Sequence, residues 1–341
     1  MSERSQTAKR PVSVKLLLIM ATVSGLAVLL LWPQTLLEMA EFVVWGLLTV
    51  APIVIPDIVL AAWIMASGAG SHIAGLFEGR AVYAVFAASA VGAITPVCGV
   101  TVLPLMAGLL AAGVPLAPVM AFWLSSPVTD PAMLATTAAT LGVGFAVGKT
   151  AAAFGLGLWG GAITSLFAGR DWATASLRTN RIVGKLAQRN CGAHLAFDPR
   201  IWKDQQRKTL FHETFAATTR LILICLIPAF AAEYALNAVL QPDALSAYVG
   251  NDVWWAIPFA VFVGAPAYLD GYAALPLTRG LMDHGMSPGA AMAFLVSGGV
   301  VSIWGAMAIF PVLRLKPFLL YLALALSGSL AVGYIFDWLM T

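Results

Sequence analysis

Seven apolar stretches close to twenty residues long, at about 16–32, 42–66, 116–140, 149–168, 215–241, 288–312 and 317–340, constrain this chain more than any other feature. A bilayer's hydrocarbon core is about 30 Å thick and takes about 20 residues of helix to cross. Inside it every backbone N–H and C=O needs a partner from the protein, which leaves helices as the spanning element here. Composition agrees: 60% of the residues are hydrophobic and 10% charged, outside the soluble globular range. The fold class this implies is an all-α polytopic membrane protein, with the lipid bilayer as its first partner. The net charge of +3 comes mainly from one segment, so it bears on membrane orientation and points to no nucleic acid.

Two further apolar stretches, 82–112 and 251–280, are too long for one ordinary span and are interrupted by Pro and Gly near their centres. The first contains TPVCGVTVLPLMAGLL, Thr95 to Leu110. The charge pattern says how it runs. Segment 169–213 carries Arg170, Arg178, Arg181, Lys185, Arg189, Arg200, Lys203, Arg207 and Lys208, and the N-terminus carries Arg4, Lys9, Arg10 and Lys15. Both are cytoplasmic by the positive-inside rule, so an even number of crossings separates them. That parity holds if 82–112 enters and returns as a re-entrant hairpin. No small-residue cleavage site follows the first apolar stretch, which reads as a retained span.

The second half repeats the first at a constant offset of 172 residues. From 99 to 128 there are 12 identities in 30 positions without a gap, including Gly99 with Gly271, Leu-Pro-Leu at 103–105 with 275–277, Gly113 with Gly285, and Met-Ala-Phe at 120–122 with 292–294. Pro56 meets Pro228, and Gly161 meets Gly333. The organisation expected is a basic tail with an extra helix (1–36), a first unit (37–168, hairpin 82–112), a basic cytoplasmic loop (169–213) and a second unit (214–341, hairpin 251–280). Three crossings lie between the hairpins, so the second unit is inverted. Interrupted apolar segments at matching positions of inverted repeats point to a transporter with its site near the midplane. Arg279, expected on the outer side, runs against the charge scheme.

PVCGVTVLPLMAGLLAAGVPLAPVMAFWLSSPVTDP and GAPAYLDGYAALPLTRGLMDHGMSPGAAMAFLVSG resemble the two signatures of the predicted permease family that includes the ArsP-type organoarsenical efflux permeases and their YraQ-like relatives. Matching positions are Cys98, Pro104, Gly113, Pro115, Phe122, Ser126, Pro127 and Pro131, then Pro266, Pro276, Gly285, Gly289 and Phe294. The resemblance implies a permease of the cytoplasmic membrane, with export of trivalent organoarsenicals in the ArsP branch. Two departures stand out. Many members have a Cys-Ser-Cys cluster where this chain has Val97-Cys98-Gly99-Val100, and many place Asn near Asp270.

The candidate substrate site is drawn from the two breaks: Cys98, Gly99, Pro104, Ser126, Asp130, Asp270, Gly271 and Pro276. A Cys98 thiolate is a soft ligand, suited to arsenic(III) or copper(I) and not to hard cations. Carboxylates in apolar segments are functional candidates by default. Asp270, the counterpart of Cys98, and Asp57, after Pro56, are the candidates for proton coupling; for Asp130, beside Pro131, a helix cap is the plain alternative. Cys225 reads as packing and Cys191 as a loop thiol without a transport role. No cofactor motif is present: in GVGFAVGKT a phosphate-binding loop needs Gly at 143, where Val143 stands. Lys149 is expected to mark a helix end and snorkel to the interface. RKTLFHETF, at 207–215, reads as an amphipathic approach helix on the membrane surface.

The function expected is a secondary-transporter-like permease exporting a small solute, a trivalent organoarsenical or other soft species, coupled to protons. A permease for a different polar or anionic metabolite, or a channel, is the alternative. An intramembrane enzyme lacks paired catalytic groups. A homo-oligomer stays open.

Overall fold

The computed structural model describes residues 33–69, 81–95, 102–111, 113–129, 131–179, 197–239, 254–267, 271–301, 305–306 and 309–340. The described residues are helical, with one isolated β-bridge. In chain order the helices are α1 (Pro33–Ser67), α2 (Ala81–Ile94), α3 (Leu103–Ala111), α4 (Leu116–Ser125), α5 (Pro131–Leu141), α6 (Val143–Ser165), the short α7 (Asp171–Thr174), α8 (Gln205–Val239), α9 (Ala256–Ala267), α10 (Gly271–Asp283), α11 (Pro288–Val300) and α12 (Leu315–Met340). The expected first span at 16–32 lies outside the described residues.

Several expected spans are not single rods. Among the described residues, Gln205–Pro228 and Leu315–Met340 are each long and apolar enough to cross a membrane, and Gln34–Thr49 with Val54–Ser67 make a third candidate bent by 61°. That bend lies where Pro52 removes a donor and crowds the preceding turn. The stretch expected as one helix at 116–140 is α4, a 3-10 turn over Ser126–Val128, and then α5. Pro127 and Pro131 account for the interruption. The approach helix expected at 207–215 is no separate element: it is the first part of α8, continuous to Val239.

The 172-residue offset recurs in the elements. α1 maps onto α8 end for end, α4 and α11 start at equivalent residues, and so do α6 and α12. Packing details recur with it. A methyl at Gly92 would lie 2.8 Å from the Phe122 carbonyl oxygen and overlap Ser125; one at Gly264 would lie 2.8 Å from the Phe294 carbonyl oxygen and overlap Ser297. Gly161 packs on Val85 and Ala121 as Gly333 packs on Ile257 and Ala293. Helices α3 and α10 end alike. Gly113 (φ +89°) donates to Leu110 while Val114 donates to Leu109; Gly285 (φ +98°) donates to Met282 while Met286 donates to Leu281. Only glycine enters that left-handed region without a steric penalty, which is why both positions are glycine.

Directions follow from the contacts. Val85 lies on Gly161 and Ser89 on Gly157, so α2 runs antiparallel to α6. Gly92 lies on Ser125, and Thr129 Oγ1 donates to the Ala93 carbonyl at 2.8 Å, so α2 runs parallel to α4. α2 and α3, at 14 and 9 residues, are each too short to traverse 30 Å.

Equivalent helices of the two halves also meet, antiparallel. Along α6 and α12 the pairs are Gly144 with Met340, Gly148 with Phe336, and Leu156 with Gly328. Along α1 and α8, Tyr234 donates to Glu38 at 2.8 Å, Gly46 lies on Phe230, and Arg207 reaches the Ala66 and Ser67 carbonyls at 3.2 and 2.8 Å. The main buried core is shared by both halves. Large apolar side chains such as Trp254 (85% exposed), Val82 and Phe262 (79% each) face outward, as a lipid-facing surface does.

One end of the bundle is tied by hydrogen bonds. Leu177 and Leu313 form the antiparallel bridge, with Arg178 N–H donating to Val312 (2.9 Å) and Arg314 N–H to Ser176 (2.8 Å). The side chains reciprocate: Arg178 Nε donates to the Leu313 carbonyl at 2.6 Å and Arg314 Nε to the Leu177 carbonyl at 3.1 Å. Arg178 also stacks on Phe310, 4.4 Å from the ring centre. Arg279, the charge that ran against the scheme, pairs with Asp283 at 3.2 Å on the exposed side of α10.

Candidate functional site

The end of α11 meets the 3-10 turn that follows α4 at a junction inside the molecule. A methyl at Gly299 would lie 3.1 Å from the carbonyl oxygen of Pro127. Residues 127 and 299 are counterparts at the 172-residue offset, as are Leu156 and Gly328, which also touch.

Polar groups surround the junction. Ser126 opens the 3-10 turn and is buried. Thr129 is buried and ties the break to Ala93 at the end of α2. Buried Tyr321 donates its hydroxyl to the Val300 carbonyl at the end of α11. Trp123 packs on Tyr321 with ring centres 5.2 Å apart, and its buried indole N–H has no hydrogen-bond partner among the described residues. A buried donor without an acceptor costs about 1–3 kcal/mol. Interrupted backbone is tolerated at such a place only where protein, water or a solute satisfies it.

Of the residues singled out from sequence, Ser126 is brought to the junction. Pro104 is the second residue of α3, Gly271 begins α10, and Pro276 lies inside α10 with its ring exposed. Asp57 lies within α1, directly after Pro56. Cys98, Gly99, Asp130 and Asp270 lie outside the described residues, as does Cys191; Cys225 falls within α8. Among the described residues no group of three or more His, Cys, Asp or Glu is placed to hold a metal ion.

Lys149 corrects the sequence reading. It sits inside α6, two turns from its start, with no exposed surface, and its Nζ meets Met133 Sδ at 3.0 Å. Snorkelling requires a path to the interface along the helix surface. Lys149 instead shares the buried face of α6 with Phe145, Ala146, Ala152, Ala153 and Leu156. The i, i+3, i+4, i+7 spacing of that face was available in the sequence; Trp123 and Tyr321 carried no comparable signal, since aromatics are common in spans.

Apolar helices packed around a buried polar junction define a polytopic helical membrane protein. The chain belongs to the predicted permease family ArsP_1, whose model matches residues 35–338. It is 34% identical over 145 residues to the UPF0718 protein MJ0584 of Methanocaldococcus jannaschii, covering 42% of this chain and 40% of that protein. No solved structure is detectably similar.

Proposed function

We propose that the chain is a secondary-transporter-like permease of the cytoplasmic (inner) membrane, built of two inverted units that rock against each other about the junction of their breaks. The observation that carries this is the antiparallel meeting of counterpart helices, α6 with α12 and α1 with α8. A two-fold axis perpendicular to membrane-crossing helices lies in the membrane plane, which is the relation of an inverted repeat. The parallel course of α2 and α4 supports a re-entrant hairpin over 82–112, with its repeat over 251–280. In this reading the units are 37–168 and 214–341, and the N-terminus and segment 169–213 are cytoplasmic.

The cargo is a small, soft, thiol-reactive solute such as a trivalent organoarsenical, exported with proton coupling. Cys98 supplies the soft ligand. Gly99, Pro104, Ser126, Asp130, Asp270, Gly271 and Pro276 shape the two breaks, and Asp270 and Asp57 carry the proton. The deciding measurement is uptake into everted vesicles of methylarsenite, arsenite, copper(I) and a neutral control, with wild-type and Cys98→Ser protein. Proton-driven uptake of one soft species, lost in Cys98→Ser, is the expected result. Uptake of none of them, or uptake indifferent to Cys98, rejects the soft-cargo reading in favour of a permease for a polar or anionic metabolite centred on Asp270.

A further inference from the structure

Residues 197–208 form a short platform fastened to the last turns of α1. Asp198 N–H donates to the Ser67 carbonyl at 3.0 Å, Trp63 Nε1 donates to the Pro199 carbonyl at 3.2 Å, and Arg207 reaches the Ala66 and Ser67 carbonyls. The two carboxylates serve the platform itself. Asp198 accepts the Arg200 N–H at 2.9 Å, while Asp204 accepts the Gln206 N–H at 2.9 Å and pairs with Arg207 at 3.7 Å. What the platform presents outward is aromatic and cationic. Phe197 is 44% exposed, and Trp202, in the middle of the 3-10 turn Ile201–Lys203, is 62% exposed. Arg200, Lys203 and Lys208 are exposed in the same stretch, and none of the three forms an ion pair among the described residues.

The level of the platform follows from what holds it. Residues 58–65 of α1 are apolar throughout and belong to Val54–Ser67, the second half of the bent candidate span. Trp63 and Ser67 stand four residues apart, about 6 Å along the helix axis. A segment bonded to both sits where the apolar stretch ends, which is the headgroup layer of a bilayer. A tryptophan suits that layer, because its apolar body enters the acyl boundary while its N–H stays wet. Three cations at the same level suit phosphate-bearing headgroups of negative charge.

We propose that residues 197–208 dock onto anionic phospholipid, with Trp202 set in the headgroup layer and Arg200, Lys203 and Lys208 on lipid phosphates. The end of α1 and the start of α8 are thereby anchored to the membrane face. The proposal rests on the permease reading only in placing the chain in a bilayer.

The test measures lipid contact and not transport, so its failure is distinct from failure of the permease reading. The full chain is reconstituted in nanodiscs of phosphatidylcholine mixed with phosphatidylglycerol, with one lipid or the other brominated on its acyl chains near the headgroup. Bromine quenches tryptophan emission at contact, and the emission of Trp202 is the difference between wild type and Trp202→Phe, or Trp202→Tyr if the first does not fold. Both brominated lipids are expected to quench it, with phosphatidylglycerol enriched about fivefold or more over its bulk share, the factor that one cation contributes at an anionic surface. In the triple variant Arg200→Gln/Lys203→Gln/Lys208→Gln the enrichment disappears while quenching by phosphatidylcholine remains. High salt on the wild type does the same by screening, which keeps the test decisive if the triple variant does not fold. Quenching by neither lipid would put the turn in water or against another protein surface, and equal quenching would leave Trp202 a neutral anchor; either overturns the proposal. So does an enrichment that survives both neutralisation of the three cations and high salt.

Discussion

Gly299 lies against the carbonyl of Pro127, its own counterpart in the first half of the chain, at 3.1 Å from where a methyl would stand. The end of α11 is thereby held against the 3-10 turn that follows α4. At that distance a neighbour has to give by a few tenths of an ångström for alanine, and by far more for a branched side chain. Gly299→Ala is expected to retain most of the stability, whereas Gly299→Leu costs about 1–3 kcal/mol through overpacking and lowers transport at least tenfold. Thermal unfolding in detergent and vesicle uptake measure the two effects; full activity in Gly299→Leu would mean that the junction does not need this close approach.

Gly113 and Gly285 test the equivalence of the halves. Nothing lies within 4 Å of a methyl at either site, so alanine there is penalised by the positive φ alone, about 1–2 kcal/mol. Gly113→Ala and Gly285→Ala should lower the unfolding midpoint by similar amounts and add in the double variant. A neutral effect at one position would show that its helix end relaxes independently.

Arg207 closes the end of α1 by donating to the Ala66 and Ser67 carbonyls, which have no partner within the helix. Arg207→Ala should destabilise by about 1.5–3 kcal/mol, the range for hydrogen bonds from a charged donor, with Arg207→Lys intermediate. The comparison of unfolding midpoints decides it: equal midpoints for Ala and Lys would reduce the interaction to packing.

The bridge between Leu177 and Leu313 ties the segment after α6 to the start of α12. If alternating access opens this face, a disulfide between Leu177→Cys and Leu313→Cys, in a background free of the native cysteines that tolerate removal, stops uptake until it is reduced. A fall of tenfold or more on oxidation, reversed by dithiothreitol, is expected. Undiminished uptake in the oxidised protein would place the moving gate elsewhere.

The helical membrane class was legible from the apolar runs, because a bilayer imposes length and apolarity on every span. The duplication was legible because packing at Gly92 and Gly264, or at Gly161 and Gly333, holds the same residues at both copies. RKTLFHETF is helical as its amphipathic pattern predicts, and the backbone ladder continues from it into the apolar part of α8. Lys149 was misread because a charged residue in an apolar run signals an interface when only the residue type is considered; packing against the face of α6 that carries it removed the route to water.

The sequence by itself determined that the chain is helical, apolar and duplicated, since those properties are set residue by residue and by spacing. Only the tertiary structure decided that α6 and α12 run antiparallel, that α11 meets the 3-10 turn at Gly299 and Pro127, and that Lys149 is enclosed. Each of these is a relation between segments far apart in the chain, fixed by how side chains of both halves fill one shared core.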